Sequence, residues 1–467
     1  MKRYEIIHFP EYRKFTSDRK SNIIFDVTTS GISEIDDLTL EILQKWLIDE
    51  DEDAFRTRFL VESDDVPETM LDSSLRLISE HEEYGSLLQS REITWGYVPP
   101  DELDIGVLTL NLSERCQLAC KYCFAGGGSY GSEMPVNMTQ KVAFAAIDLL
   151  KKHGRKSGVN IGFFGGEPLL NWQVMKSTVE YAEIELAGIV DAISFNMTTN
   201  GIAITEEIAE FISQRAFSVM FSIDGSEEIH NELRPARGER KCTWGDTMRG
   251  LEICLKANIP TTVRPTITPQ SESLSEMVDL FVKYGVKSIN FQPLCSIETN
   301  MSLNHSELQA FTKQLCELSE RKDIHIPLVE GFKRRIHSRY MSVWHCGLGS
   351  GGIVISPSGN VYPCHRFVGE RQFESGNVLN GLNVEKLLGY RRDLHIKDIK
   401  GCRSCWMRYL CTGSCYAENN DENQELKTPN SNRCYINKTL IVNSIEWLLK
   451  LYQHTENDGV AQEIARV

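Results

Sequence analysis

Apolar and polar residues follow two different periods in the middle of the chain, and their alternation predicts its architecture. Between residues 104 and 300, short apolar runs such as LDIGVLTLNL and AISFNMTT have the character of buried strands. Strands of this kind alternate with segments such as MTQKVAFAAIDLLKKHG, whose apolar residues lie three and four positions apart and predict amphipathic helices. Six alternations predict an α/β fold with a parallel sheet, in the form of a partial (β/α)6 barrel with an open side.

The flanking segments have other patterns. At the N-terminal end, YEIIHF and SNIIFDVTTSG predict strands, and TLEILQKWLI and DSSLRLISEHEEYGSLL predict helices, with the acidic run DEDEDAF between these helices. This order predicts a small winged-helix-like domain. The predicted division of the chain is 1–95 for this domain, 104–300 for the barrel, 301–340 for a helical bridge, 341–440 for a cysteine-rich domain and 441–467 for a closing helix and tail.

Charge and apolar content exclude several classes of function. The net charge of −15 argues against nucleic acid as the main partner, because binding to phosphates depends on clustered Lys and Arg. No apolar run approaches the roughly 18 residues that a membrane span needs. The N-terminal segment MKRYEIIHFPEYRKF also lacks the apolar stretch of a secretory signal. We therefore expect a cytoplasmic protein without a nucleic-acid or membrane partner.

The fourteen cysteines are unevenly distributed. Three lie between residues 116 and 123, and seven lie between residues 346 and 434. In a reducing compartment, such groups favour ligation of a metal or an iron–sulfur cluster over disulfides. A zinc-stabilised binding protein is the alternative from another class of function. The remaining four cysteines are most simply interpreted as buried thiols; they are Cys242, Cys254, Cys295 and Cys316.

The first group follows the first predicted barrel strand with the spacing C-x3-C-x2-C, at Cys116, Cys120 and Cys123. A structural zinc ion takes four ligands, and no fourth Cys or His is near in the sequence. A [4Fe–4S] cube takes one protein ligand per iron, so three thiolates leave one iron open to a small ligand. The glycine-rich segment AGGGSYG that follows would let such a ligand approach the backbone closely.

The motif C-x3-C-x-Tyr-C, with Tyr122 and Phe124 around its last cysteine, resembles the signature of the radical SAM enzymes. The resemblance implies that the open iron binds S-adenosylmethionine. It further implies that reduction releases a 5′-deoxyadenosyl radical, which takes a hydrogen atom from the substrate. The cofactors would generate the radical, while the protein would position the reactants and exclude water.

Four further loops follow strands in the order of that family. The resemblance implies that FFGGEPLL holds the cofactor's ammonium group through its backbone and carboxylate. It also implies that TTNG ends the third strand, that FSIDG bonds to ribose or carboxylate, and that IHNELRP supplies a guanidinium to the carboxylate. A leucine after the sixth strand would pack on adenine, and Arg264 in VRPTIT forms either a second carboxylate contact or an internal salt bridge. The implied cofactor-binding residues are Tyr122, Gly165, Gly166, Glu167, Thr199, Asn200, Ser222, Asp224, Arg234 and Leu294.

The second group of cysteines has the pattern C-x12-G-x4-C, then C-x2-C-x5-C-x3-C, then a last cysteine, which resembles the SPASM domain. Related sulfatase maturases carry a further cysteine where this chain has Tyr340. The resemblance therefore implies two auxiliary [4Fe–4S] clusters, one of them short of one protein ligand unless Cys295, Cys316 or another side chain supplies it. The implied ligands are Cys402, Cys405, Cys411 and Cys434 for the first auxiliary cluster, and Cys346, Cys364 and Cys415 for the second.

The motif YPCHRF places His365 where sulfatase maturases have an aspartate that serves as a base. His365 is therefore the candidate catalytic residue, with a hydrogen-bond partner of the cluster or a structural histidine as the alternatives.

Proteins with SPASM domains mostly modify ribosomally made peptides and proteins, and the N-terminal domain resembles the PqqD-like element that binds a leader peptide by adding a strand. The segment YPCHRFVG, after the glycine-rich GLGSGG, resembles the thioether-forming branch (SCIFF and ranthipeptide, including the freyrasin type). This resemblance implies a maturase that links a cysteine sulfur to carbon in a precursor peptide. It would use three clusters, S-adenosylmethionine and a flavodoxin- or ferredoxin-type electron donor. The alternatives are a formylglycine-generating sulfatase maturase and a carbon–carbon crosslinking cyclase.

Overall fold

The computed structural model describes residues 4–7, 22–26, 32–45, 52–62, 66–83, 100–238, 242–295 and 301–457. The strands in these ranges are β1 (Tyr4–Ile7), β2 (Asn22–Asp26), β3 (Ile32–Ile35), β4 (Val107–Ser113), β5 (Val159–Gly165), β6 (Ile193–Thr199), β7 (Phe217–Phe221), β8 (Thr261–Val263), β9 (Thr266–Ile267), β10 (Gln292–Pro293), β11 (Gly352–Ile355), β12 (Val361–Tyr362), β13 (Gly376–Asn377) and β14 (Gly381–Leu382).

The helices in the same ranges are α1 (Asp37–Lys45), α2 (Glu52–Glu62), α3 (Glu68–Glu83), α4 (Gln140–His153), α5 (Trp172–Glu185), α6 (Glu206–Ser213), α7 (Glu227–Leu233), α8 (Trp244–Lys256), α9 (Leu274–Lys283), α10 (His305–Leu318), α11 (Pro327–His337), α12 (Val384–Asp393), α13 (Arg408–Cys411), α14 (Tyr416–Asn423) and α15 (Ser431–Asn457).

The central sheet confirms the predicted parallel α/β architecture. Strands β4, β5, β6, β7 and β8 are parallel neighbours in chain order. A bridge between Val263 and Ile289 and the parallel pair of β9 with β10 continue this order to the sixth strand position. Helices lie between successive strands along the chain, so the carboxyl ends of all these strands point to one mouth.

Local sequence explains why these elements form. Leu108, Leu110 and Leu112 alternate along β4 and are fully buried, each contributing about 1.5–3 kcal/mol of hydrophobic stabilisation. Helix α4 begins after Thr139, whose side chain accepts a hydrogen bond from the Val142 backbone N–H. This helix buries residues at three- and four-residue spacing against the sheet, as its sequence pattern predicts.

The cysteine-rich segment extends the barrel sheet, which the sequence did not predict. Strand β11 pairs in parallel with β4, with Ile353 opposite Leu108, and β12 pairs antiparallel with β11. The predicted cysteine-rich domain therefore shares backbone hydrogen bonds with the first barrel strand. Cys364 follows β12 by two residues, so this pairing fixes one predicted cluster ligand relative to the barrel.

In the N-terminal segment, β1, β2 and β3 form an antiparallel sheet and three helices follow. The acidic run predicted as a spacer leads into helix α2, which buries Phe55 and Phe59 in a small cluster with Ile42. Aromatic residues four positions apart were the signal for this helix. Phe25 on β2 makes an edge contact with Trp406, with ring centroids 5.4 Å apart. The winged-helix assignment stays a prediction.

The closing helix begins earlier than predicted. Helix α15 spans Ser431–Asn457 and crosses the expected boundary between residues 440 and 441. Its start is fixed by Asn430, whose side-chain oxygen accepts a hydrogen bond of 2.8 Å from the backbone N–H of Arg433. Cys434 therefore lies in the first turn of this helix. The bridge predicted for 301–340 contains α10 and α11. Among the described helices, none has the length and apolar character that crossing a membrane requires.

One glycine on α8 permits close packing against the loop after β6. A Cβ atom at Gly250 would lie 2.1 Å from the carbonyl oxygen of Gly201. We therefore expect Gly250→Ala to lower the free energy of unfolding by about 1–3 kcal/mol, although alanine ordinarily favours a helix. Gly245→Ala on the same helix is the matched control, because an added Cβ there meets no atom within 4 Å. Equal stability of the two variants in denaturant titrations would contradict this contact.

Candidate active site

The first cysteine group lies on the loop after β4, at the mouth of the barrel. The backbone N–H of Ala119 donates to the Pro235 carbonyl at 2.8 Å, and that of Lys121 donates to the Leu233 carbonyl at 3.0 Å. Leu118, between the first two cysteines, is buried. These contacts hold the loop against the segment that follows α7. All three cysteines are free and partly exposed.

The surroundings of these thiols suit a metal cluster. Burial, together with the Glu167 carboxylate, raises the pKa of Cys116 to about 12, and burial raises the pKa of Cys120 to about 11. Both are therefore neutral thiols in metal-free protein, and iron would bind with release of their protons. N–H donors already face the sulfurs: the Leu118 amide lies 3.4 Å from Cys116 Sγ, and Arg234 Nη1 lies 4.0 Å from Cys120 Sγ.

A single metal ion and a cluster make different demands on the cysteines. Within the part of the chain that the structure describes, no three His, Cys, Asp or Glu side chains form a group that could hold one metal ion. A zinc site needs its ligands to meet at one point. A cubic cluster distributes its ligands over separate iron atoms, so it does not need them to meet at one point.

Glycines after β5 bring two loops into direct contact. A Cβ at Gly166 would lie 2.4 Å from the Arg115 carbonyl oxygen, and a Cβ at Gly128 would lie 2.6 Å from the Gly166 Cα. Gly165 has φ +130° and approaches the Ser113 carbonyl, so a side chain there would be both strained and obstructed. The glycines of the predicted GGE motif therefore let this loop lie against the cysteine loop.

The carboxylate of Glu167 has three internal hydrogen-bond donors. It accepts hydrogen bonds from the Thr199 hydroxyl at 2.7 Å, the Asn200 backbone N–H at 2.8 Å and the Leu169 backbone N–H at 3.2 Å. The expected role of this carboxylate in holding the cofactor's ammonium stays a prediction. Thr199 and Asn200 join the loops after β5 and β6 through Glu167. The Asn200 amide also lies 3.8 Å from Cys116 Sγ.

Arg234 likewise has an internal partner. Its Nε and Nη2 atoms donate to the two carboxylate oxygens of Asp224 at 2.8 and 2.9 Å, and both side chains are buried. The same carboxylate accepts from the Tyr122 hydroxyl and, at 2.9 Å, from the Thr266 backbone N–H. Asp224 therefore orders the mouth, while Arg234 keeps only Nη1 directed towards Cys120.

Two predicted cofactor-binding residues lie at strand ends as expected. Ser222 follows β7 and is half-buried, and its backbone N–H donates to the Thr199 carbonyl at 2.9 Å. Leu294 follows β10 and is also half-buried. Their roles stay predictions.

His365 brings the two cysteine regions together. Its Nδ1 lies 3.9 Å from Cys364 Sγ, and its ring contacts Phe164 and Phe124 with centroids 4.8 and 5.8 Å apart. Phe124 follows the last cysteine of the first loop, and Phe164 precedes the GGE glycines. Burial and the cations of Arg366 and Arg264 lower the pKa of His365 to about 3. A neutral ring with so low a pKa suits hydrogen bonding better than holding a proton.

The second cysteine group forms two neighbourhoods. Cys346, Cys364 and Cys415 are close enough that the thiols of Cys346 and Cys415 raise the pKa of Cys364, after the larger effect of burial. Tyr340, where relatives carry another cysteine, is 57% exposed. Cys295 is buried, and Cys415 contributes to raising its pKa, which makes Cys295 a candidate further ligand.

The other neighbourhood contains Cys402, Cys405, Cys411 and Cys434. Burial raises the pKa of Cys402 to about 12, and the other three thiols raise it as well. The Asn437 amide donates to Cys411 Sγ at 3.2 Å. Four thiols in one place are the number that a fully ligated cube needs.

Sequence patterns did not identify three polar residues that join these regions. Glu418 and Arg433 form a buried pair with hydrogen bonds of 2.6 and 2.7 Å, and Gln292 on β10 donates to Glu418 at 3.3 Å. The pair connects α14 with α15 and with the sixth barrel strand. Arg366 is a further residue of this kind: its guanidinium lies 4.8 Å from the Phe124 ring centroid and pairs with Asp421.

The chain is similar to known proteins over most of the barrel. The family model of the Radical SAM superfamily matches residues 110–281. "Uncharacterized protein MJ0907" of Methanocaldococcus jannaschii is 30% identical over 298 residues, which cover 63% of this chain and 97% of that protein. The "Serine-type anaerobic sulfatase-maturating enzyme" of Klebsiella aerogenes is 20% identical over 352 residues, covering 71% of this chain and 85% of that enzyme.

Solved structures show the shared fold. "Native anSMEcpe with bound AdoMet" has a TM-score of 0.63 at 22% identity and covers 74% of this chain and 98% of its own. Streptococcus suis "SuiB bound to precursor peptide SuiA" has a TM-score of 0.51 at 16% identity and covers 88% of this chain and 96% of its own.

The structural role of Glu167 gives a prediction for metal-free protein. Glu167→Ala should lower the free energy of unfolding by about 3–5 kcal/mol at mildly acidic pH, because it leaves a cavity and unpaired buried N–H groups. Burial raises the pKa of Glu167 from 4.5 to about 7, so the folded protein binds its proton more tightly than the unfolded chain. The stability due to Glu167 is therefore largest below pH 4.5 and declines up to about pH 7.

Denaturant titrations at several pH values check this prediction. The difference between wild type and Glu167→Ala should narrow as the pH rises. The exposed Glu210 lies on the neighbouring helix α6, and Glu210→Ala should change stability by less than about 0.5 kcal/mol. A Glu167→Ala variant as stable as this control would show that the three hydrogen bonds contribute nothing.

Proposed function

Because the chain belongs to the radical SAM superfamily, we propose that it is a peptide maturase that joins a cysteine sulfur of a precursor peptide to a carbon atom of that peptide. The general part of this proposal, that the chain is a peptide or protein maturase, agrees with the sulfatase-maturating relative and with the fold shared with SuiB. The specific part, that the product contains a thioether, depends on the second group of cysteines.

The proposed cofactors match the donor sets of the chain. Cys116, Cys120 and Cys123 would hold the cluster that binds S-adenosylmethionine. The other seven cysteines would hold two auxiliary clusters, in the sets of four and three described above. When bound, these groups supply a 5′-deoxyadenosyl radical that removes hydrogen from carbon, and an auxiliary cluster that accepts the surplus electron.

The contact of His365 with both cysteine regions is the observation that carries the proposal. Its ring lies against Phe124 and Phe164 on the barrel side and beside Cys364 on the other side. A substrate residue at this junction would be within reach of both cofactor sites. The aromatic side chains would exclude water there, which protects a radical from side reactions.

Capture of sulfur would use the site that has three cysteines. A thiolate is a natural ligand of iron, so a substrate cysteine could complete the coordination that Cys346, Cys364 and Cys415 leave open. His365 would orient this thiol by hydrogen bonding. If Cys295 is itself a ligand, sulfur capture at this cluster is excluded while the radical chemistry remains.

The proposed substrate is a precursor peptide whose leader binds the N-terminal domain. The complex of SuiB with SuiA shows that one protein of this fold binds a precursor peptide. In this chain β1 to β3 form an antiparallel sheet, to which a leader could add as a strand. A flavodoxin- or ferredoxin-type protein is proposed as the electron donor.

The alternatives are separated by their products. A sulfatase maturase converts one side chain to formylglycine, and a carbon–carbon cyclase leaves cysteine thiols free. His365 in place of the aspartate of sulfatase maturases favours the thioether reaction over the first alternative.

The decisive assay combines reduced, cluster-loaded enzyme, S-adenosylmethionine and a precursor peptide that contains cysteine. Each link should remove two hydrogen atoms and one alkylatable thiol from the peptide, because a C–H and an S–H bond are replaced by one C–S bond. The carbon's hydrogen leaves in 5′-deoxyadenosine, the thiol's proton goes to solvent and one electron passes to a cluster. Mass spectrometry after alkylation measures both changes.

Matched variants sharpen this assay. Cys364→Ala should retain cleavage of S-adenosylmethionine and form no link, whereas Cys242→Ser should behave as wild type, because Cys242 is exposed and outside both cysteine groups. Products in which every thiol still reacts with the alkylating reagent would reject the thioether proposal.

Metal content tests the three clusters separately from the reaction. Anaerobically reconstituted protein should be brown and contain about twelve iron atoms per chain, four for each cube. Removal of two of the four ligands of one set, as in the Cys402→Ala/Cys434→Ala double variant, should lower the count by about four. Cys242→Ser is again the control. Colourless protein with stoichiometric zinc would support the zinc-binding alternative instead.

A further inference from the structure

Acidic residues are absent from three segments in the C-terminal part of the chain. The segments 331–369, 399–417 and 426–445 contain no Asp or Glu, although the whole chain has 65 of them. All seven cysteines of the second group lie in these segments. Two of the segments supply the four-cysteine site, which comprises Cys402, Cys405, Cys411 and Cys434.

The first segment is tied to the second beside this site. On α11, Arg335 donates through Nη1 to the Leu410 carbonyl at 2.7 Å. After this helix, the Ser342 backbone N–H donates to the Tyr409 carbonyl at 3.0 Å. Both carbonyls belong to α13, whose last residue is Cys411. The end of α11 therefore lies next to the helix that carries one cysteine of the site.

Helix α15 connects the third segment to the same cysteine. The side-chain amide of Asn437 donates to Cys411 Sγ at 3.2 Å, and Lys438 is the next residue of the helix. Three segments without acidic residues therefore meet at the four-cysteine site. The acidic residues that give the chain its net charge of −15 lie outside these segments.

The basic residues of these segments are of two kinds. Arg408 is buried and donates to the Cys405 carbonyl at 2.9 Å. Arg433 is also buried and pairs with Glu418. Four of the exposed basic residues form what we call the basic surface: Arg334, Arg339, Arg403 and Lys438. Among the described residues, no carboxylate forms an ion pair with Arg334, Arg339 or Lys438.

The four-cysteine site lies close to the protein surface. Cys402 and Cys405 are partly exposed, and Ser404 between them is exposed. A cubic cluster with four protein thiolates has no iron open to a substrate, so it is suited to exchanging electrons. The basic surface adjoins this site, because Arg403 lies between two of its cysteines and Lys438 follows the residue that contacts a third.

We propose that the basic surface docks an acidic electron-carrier protein of the flavodoxin or ferredoxin class. Complementary charge gives such an encounter its orientation and its rate, and a small contact area is sufficient for it. The acidic remainder of the chain repels an acidic partner, which directs its approach to the exposed cations. The inference rests on the proposed function, because that function requires an electron donor.

The first test measures binding of the carrier by charge reversal. The probe is an acidic flavodoxin with a fluorescent label, and anisotropy reports its affinity for anaerobically reconstituted enzyme without S-adenosylmethionine or peptide. The Arg334→Glu/Arg339→Glu variant should bind at least about tenfold more weakly at low salt. The Lys141→Glu/Lys152→Glu variant is the matched control, because it changes the net charge equally at two exposed residues of α4. Its affinity should stay within about twofold of wild type.

A second variant tests whether the surface extends over the four-cysteine site. Lys438→Glu lies on a different helix from Arg334 and should also weaken binding, by about threefold or more. Wild-type affinity should decrease as the salt concentration rises, and the differences between variants should narrow, since salt screens exposed charges. A wild-type affinity that does not change with salt would contradict docking by charge.

The third measurement separates docking from damage to the site. With dithionite as reductant, all variants should cleave S-adenosylmethionine at the wild-type rate and contain the wild-type amount of iron. With reduced flavodoxin, the charge-reversed variants should need more flavodoxin for half-maximal cleavage and reach the same maximum rate. A lower maximum rate with either reductant, or loss of iron, would assign these cations a structural role and overturn the proposal.

Other occupants of the surface give different results. Equal losses of affinity in the control and in the Arg334→Glu/Arg339→Glu variant would show that only net charge matters. A DNA oligonucleotide that binds as tightly as flavodoxin, or a dimer of this chain that the variant disrupts in sedimentation, would also reject the carrier. Thioether formation is not needed for the binding test. An enzyme that forms thioethers with dithionite and whose variants bind flavodoxin like wild type would keep its proposed function and reject this inference alone.

Discussion

The geometry of the mouth depends on one buried carboxylate. Asp224 accepts hydrogen bonds from Tyr122 on the cysteine loop, from Arg234 after α7 and from the Thr266 backbone on β9. A buried charge is tolerated only when it is fully paired, so these three segments cannot move apart without a large cost in free energy. The position of the first cysteine loop over the barrel therefore follows from the needs of this carboxylate.

A second buried pair performs the same task for the cysteine-rich region. Glu418 comes three residues after Cys415, and Arg433 comes one residue before Cys434. Their ion pair fixes a cysteine of one proposed cluster relative to a cysteine of the other, and Gln292 ties both to the barrel. Rigid positioning of this kind is what a reaction between groups held at separate sites requires.

The sequence predicted those features that depend on local pattern, and it failed where distant residues meet. The order of the barrel strands and the grouping of cysteines follow from periodicity and spacing within short windows. The pairing of β11 with β4 joins residues far apart in the chain, and no local pattern reports it. Helix α2 was missed because its acidic start resembles a solvated loop, although Phe55 and Phe59 have helical spacing.

The same limit applies to the internal partners of the predicted site residues. The motifs locate Glu167 after a strand and Arg234 after helix α7, but they do not identify the hydrogen-bond partners of either side chain. In the structure, Glu167 accepts hydrogen bonds from the loop after β6, and Arg234 donates hydrogen bonds to Asp224. Hydrogen-bond donors and acceptors in a site must be satisfied before a ligand arrives, and that requirement is a property of the whole fold.

Net charge and local charge therefore carry different information about partners. Beyond the screening length of about 8 Å in physiological salt, the net charge of −15 acts only weakly. It mainly discourages the approach of large polyanions. Inside the mouth, screening is weak, and Arg234 and Arg366 each pair with a carboxylate. An acidic chain can for this reason repel nucleic acid from its surface and still hold arginines beside its cysteine loop. The charge at such a site depends on the pairing of a few buried residues, which the overall composition does not reveal.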